Sequence, residues 1–318
     1  RRVPRAAQHH AGAARAVLAA VHVPRQVHAR DVHPPVPRVD AHDGRERLAE
    51  AHAEFIKQFD LTFSASICEW HWLQRPDIEL HPGRGTSVLS DVCDLAYHET
   101  PLIRSEMLNR FKLSSQGAKA RRVLLEAMLH RTDDDRLGLE GYGPEVAMYL
   151  SVLKKPGIHN IGRENNSFGP PEKISSGELG LKNAWEILET QFNKALEQRA
   201  NLNDVYAELM SPPVGMKAGA IPVLLTAALI ANQDEIAIYE HGSFVPVLTP
   251  PISERMVKNP IHFDIKHFAN ASGTRLNTLN QIASALQPSK DFKSHRVSNV
   301  LSVVAAIVGD VHGLDNYT

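Results

Sequence analysis

The chain has 318 residues, 43% of them apolar, with 35 Lys and Arg against 36 Asp and Glu. That length suffices for one large domain or two modest ones, and a net charge of −1 excludes a global pull toward nucleic acid or an anionic membrane. Two cysteines are too few for a secreted disulfide framework, so a reducing, cytoplasmic setting is expected. Apolar runs such as Gly219–Ala231 fall short of the roughly 20 residues that span a bilayer, and no membrane partner is expected.

The charge is unevenly spread. Residues 1–50 hold 9 Arg and 5 acids, a local +4, together with 6 His and 5 Pro, yet no aromatic residue, Ile, Lys, Ser or Thr. An Arg-rich start with no acid before Asp31 imitates an organelle transit peptide, but such peptides are rich in Ser. The histidines at 9, 10, 22, 28 and 33 show no repeated ligand spacing for a metal. Arg, Ala, Pro, Val and His together are what a GC-rich gene yields when translated out of frame. Residues 1–53 are therefore expected to be a disordered or mistranslated head without function, since so little core-forming area cannot offset ordering entropy.

From Phe55 the pattern is mainly helical with a small β component. Helices are expected over Glu106–Leu113 and Ala118–Leu129, the second capped by Ser114-Ser115, because apolar residues recur at three-to-four spacing. Another opens at Gly143-Pro144 and stops at Pro156-Gly157, a pair that a helix does not easily cross. A helical domain at 54–165 is followed by a linker and long helix at 166–200, the helix running through Trp185, Leu188, Phe192 and Leu196.

Residues 201–268 read as a winged-helix-like domain, before C-terminal helices at 269–318. Asn201–Met210 and the very apolar Ala218–Ala231 form two helices about a Pro-Pro-Val-Gly turn, and Glu235–Glu240 and Ser243–Leu248 form a hairpin about His241-Gly242. Pro250–Asn259 gives a further helix and His262–Phe268 a strand. A DNA-reading helix needs polar and basic side chains, whereas the second helix here is a core helix. Lys217, Arg255, Lys258 and Lys266 are the candidate nucleic-acid contacts, and DNA is the alternative partner.

Three chemical motifs compete with plain structure. Gly309–Gly313 (GDVHG) looks like the first metal-binding motif of calcineurin-like phosphoesterases, but only five residues follow it, too few for the remaining ligands that a two-metal site requires. Cys68, His71, Cys93 and His98 form a set loosely compatible with tetrahedral zinc, although both cysteines sit among apolar neighbours, the setting of a buried free thiol. No Walker-type phosphate loop, dinucleotide fingerprint or nucleophile elbow occurs. No catalytic residue, metal or cofactor site is therefore assigned to this chain.

Pro101–Met128 (PLIRSEMLNRFKLSSQGAKARRVLLEAM), Leu137–His159 and Glu208–Leu248, with Leu301–Thr318 after them, resemble a segment of very large bacterial P-loop ATPases, some of which lie near phage-defence genes. Ser105 stands where that resemblance implies Asn, and Gly143 where it implies Pro. It implies a non-catalytic interaction module whose partner is an upstream ATPase motor or another protein. ATP and Mg would belong to the motor alone, and the whole would serve DNA handling or phage defence. Glu106, Asn109, Arg110 and Arg121 would then be interface positions on adjacent helices, the alternative being pairing among themselves.

Overall fold

This computed structural model describes residues 18–21, 41–64, 69–73, 75–80, 85–110, 112–163, 167–172 and 179–268, with short helical stretches between 277 and 308. The chain divides into two compact units, Arg1–His98 and Glu99–Thr318. Among the described residues it is mainly helical with small antiparallel sheets, and no helix is long and apolar enough to cross a membrane.

In the first unit, strand β1 (Leu18–Val21) pairs antiparallel with β2 (Glu69–Trp72), Leu18 opposite Trp72. Helix α1 spans Ala41–Thr62 and α2 Gly85–Ala96. Trp72, Val88 and Val92 are buried. Within the stretch 1–53, β1 is formed and α1 begins twelve residues before its end. Ala, Arg, Glu and Leu over 45–53 are strong helix formers, and their propensity sets the start of α1 well inside the compositionally odd stretch.

The second unit holds one hydrophobic core that runs from Ile103 to Ile265 and passes both 165 and 200 without a break. Its first helix, α3 (Ser115–His130), is capped as expected, with Ser114 Oγ accepting from the Gly117 amide. Among the described residues of the helix expected over Glu106–Leu113, none is helical; 106–110 is a run of turns. The Ser105 carbonyl accepts from both Leu108 and Asn109 amides, and Asn109 Nδ2 donates to the Ile103 carbonyl at 2.7 Å. A side chain that binds nearby backbone in this way competes with the helical ladder. Helix α4 (Pro144–Tyr149) has Pro144 in its first turn and continues as one wide turn over Leu150–Lys154 before Pro156. The loop beyond is closed by Arg163, which donates to the carbonyls of Gly157, Ile158 and Pro170 and to Glu172.

Helix α5 (Leu179–Lys194) buries Trp185, Leu188 and Phe192. A two-residue strand β3 (Ala200–Asn201) leads into α6 (Leu202–Met210), and after a turn α7 (Ile221–Ala231) follows. Strands β4 (Ile236–Glu240) and β5 (Ser243–Val245) form the hairpin; β5 is shorter than expected because Pro246 removes a ladder donor. Its tip places His241 at φ 50° and Gly242 at φ 82°, the positive dihedrals of a two-residue turn that glycine adopts at no steric cost. Helix α8 (Pro250–Lys258) precedes β6 (Phe263–His267), and the sheet order is β3-β6-β4-β5, antiparallel throughout. Helical conformation recurs at 277–279, 300–301 and 303–304, with Leu301 and Val303 buried.

Candidate functional site

Helix α7 is given over to the core of the second unit. Ten of its eleven residues, Ile221 through Ile230, are buried, so its side chains serve the core and none of those ten reaches a groove. What stays at the surface is the approach to α7. There, Gly219 lies so close to the turn before α3 that a Cβ on it would stand 2.6 Å from both the Leu108 carbonyl oxygen and Leu113 Cδ1. Leu108 and Leu113 are thereby brought against the turn at 217–219.

Arg121, on α3, fastens this junction. It is largely shielded from solvent, and its Nη1 donates to the Gly219 carbonyl at 3.1 Å. Desolvation lowers its pKa, opposed by the neighbouring Tyr206. Tyr206, on α6, keeps its hydroxyl buried with no hydrogen-bond partner, and burial raises the pKa of that hydroxyl. The side chains of Arg104, Lys112, Lys119 and Lys217 are exposed and make no hydrogen bond or ion pair among the described residues. Residues 100–122 contain six cations and a single acid, Glu106. That imbalance was readable in the sequence, although sequence reasoning selected only Arg110 and Arg121 from among the six.

Glu106 and Arg110 pair with each other at 3.1 Å, both exposed, and Asn109 is spent on the Ile103 carbonyl. With Glu106, Asn109 and Arg110 on turns, only Arg121 of the four expected on adjacent helices lies on one. Of the expected nucleic-acid contacts, Arg255 grips Glu240 with two hydrogen bonds, at 2.6 and 2.7 Å, which hold the Glu240 carboxyl below its ordinary range. Lys258 faces Glu254 at 3.8 Å. Lys266 Nζ donates to the Leu196 and Glu197 carbonyls just beyond α5. Only Lys217 of these four is unengaged. The structure thus separates Lys217 from the hairpin cations and joins it to the 104–122 segment.

The zinc set is not assembled among the described residues. Cys68 lies outside them, Cys93 is exposed and not the buried thiol its apolar neighbours imply, His71 lies 3.8 Å from Glu69, and His98 Nδ1 contacts the Leu95 carbonyl. No group of three or more metal-ligating side chains occurs among the described residues. Gly309–Gly313 lies outside them.

One buried polar cluster went unnoticed in the sequence. His159 Nε2 stands 2.9 Å from the Thr132 carbonyl and its Nδ1 2.9 Å from the Tyr149 hydroxyl. The carbonyl accepts only, so Nε2 carries the proton and Nδ1 accepts from Tyr149. Burial lowers the His159 pKa and pushes that of Tyr149 up to about 12. Both rings are almost wholly enclosed, with Phe168 4.9 Å from the imidazole, so the pair fastens α4 to the following loop. No family model, curated protein or solved structure matches the chain.

Proposed function

We propose that the chain is a non-catalytic interaction module of a large bacterial P-loop ATPase, built around a winged-helix-like unit that serves packing and docking. The observation that carries this reading is the burial of α7. A helix in the recognition position that is consumed by the core leaves the unit to meet partners through its surface turns. The helix pair α6–α7 followed by the β4–β5 hairpin supports the winged-helix description, with α8 and β6 as additions and β6 lying between β3 and β4. The engaged state of Arg255, Lys258 and Lys266 disfavours phosphate binding through the hairpin side. The resemblance of the blocks at 101–128, 137–159 and 208–248 to ATPase segments supports the wider setting, in which ATP and Mg belong to an upstream motor.

The test is to read the DNA upstream of this gene in all three frames. A Walker-type phosphate loop is expected, and the restored motor is then expected to bind this chain in trans by titration calorimetry. An intact start with no motor sequence upstream overturns the ATPase assignment. Metal-dependent hydrolysis of a phosphomonoester that Asp310→Ala abolishes overturns the non-catalytic reading.

A further inference from the structure

We propose that His241 and His262 form a two-histidine site for a borderline divalent metal ion such as Zn2+, at the tip of the β4–β5 hairpin. The site lies outside the module reading above, and each stands without the other. Register is the first argument. In the β4–β6 ladder Glu240 faces Phe263, so the next antiparallel pair outward is His241 opposite His262, and directly opposed side chains leave a sheet on the same face. The His241 amide donates to the His262 carbonyl at 2.9 Å, which fixes the two residues to each other through the main chain.

The second argument is the geometry of the rings. Their centroids lie 4.4 Å apart, with the planes 33° from parallel. Two imidazoles bound to one metal ion, at an angle between about 90° and the tetrahedral value and through bonds of about 2.1 Å, hold their centres about 4.5–5.3 Å apart. Both side chains are exposed, so a small side-chain rotation closes the difference while the backbone stays in place.

The third argument is the availability of ligand atoms. His159 spends its ring nitrogens on Thr132 and Tyr149, and His267 on Phe192 and Glu235. Among the described residues no hydrogen bond takes a ring nitrogen of His241 or His262. Glu240 is held by Arg255 through two hydrogen bonds, so the hairpin tip offers two protein ligands rather than three, in keeping with the absence of a larger ligand group among the described residues. Water completes the coordination, as at any site with open positions. Two imidazoles without a thiolate suit Zn2+, Cu2+ or Ni2+, whereas Mg2+ and Ca2+ take oxygen ligands.

The backbone supplies a fourth argument. His241 sits at φ 50°, in the first central position of a turn that favours Asn, Asp or Gly there. Side chains held in such sparsely populated conformations cluster at binding sites.

The experiment is a titration of the whole chain with Zn2+, followed residue by residue through its amide NMR signals. Amides at 240–242 and 261–263 are expected to shift together and saturate. The histidines at 9, 10, 22, 28 and 33 report through their own amides, so metal held there is read separately. His241→Asn and His262→Asn should each weaken binding at the tip by about a hundredfold, the loss of one arm of a chelate. Asn tolerates the positive φ at 241, and unchanged signals from α7 and β6 verify that both variants keep the fold. His52→Asn, on the exposed face of α1, should leave the tip's affinity unaltered, and Mg2+ should move none of these signals. Three results overturn the proposal: no shift at the tip once the histidines of the first fifty residues are saturated, a tip affinity that survives His262→Asn, or a response to Mg2+ as large as that to Zn2+. None of these touches the upstream-motor test, so the two readings fail separately.

Discussion

At the scale of single residues, the buried polar atoms make the sharpest predictions. The Thr226 hydroxyl sits wholly enclosed on α7 without a hydrogen-bond partner. Thr226→Val keeps the shape and removes an unsatisfied group, so it should stabilise the protein by about 1 kcal/mol in denaturant unfolding. His159 predicts a pH dependence. Burial lowers its pKa in the folded state, so the unfolded chain takes up the proton first. Its contribution is therefore present above the ordinary histidine value of about 6.5 and is lost as pH falls through the lower folded value. Denaturant midpoints measured from pH 7 to pH 5 should decline, and His159→Gln should flatten that decline. A midpoint independent of pH in both proteins would exclude His159 as the titrating group.

Secondary-structure elements show where sequence reasoning reached and where it stopped. Helices α3, α5, α6, α7 and α8 and the β4–β5 hairpin announce themselves through spacing, capping and turn residues, and each appears close to its expected span. Glu106–Leu113 has helical spacing and an i, i+4 ion pair, yet Asn109 folds back onto Ile103 and breaks the ladder. Local periodicity does not record which backbone group a side chain will take. The junction before α3 was half legible: the cations of 100–122 were visible as a run, but the approach of Gly219 to Leu108 spans more than a hundred residues. Lys266 was likewise read as a free cation, because a carbonyl some seventy residues away cannot be seen in a motif. Since its ammonium lies against carbonyls at the end of α5, Lys266→Gln should cost about 0.3–1 kcal/mol, measurable as a lower unfolding midpoint.

For the molecule as a whole, every member of the main hydrophobic core lies between Ile103 and Ile265. A chain shortened to residues 99–318 is thus expected to keep the cooperative unfolding transition of the full protein, with a midpoint little changed by calorimetry. Loss of that transition would mean that residues 1–98 complete the core.

Asn201 gives the second unit a property of its own. Its Nδ2 donates at 2.9 Å to both the Ile261 carbonyl and Asp264, while β3 pairs with β6. This clasp gathers α6, α7, the hairpin and α8 into a closed lobe that begins and ends at one point. The entropy of closing such a loop grows only with the logarithm of its length, about 0.6 kcal/mol per doubling. Guest sequence spliced between His241 and Gly242, at the exposed hairpin tip, would therefore enlarge the lobe without opening it, which makes that tip a natural port for a reporter domain.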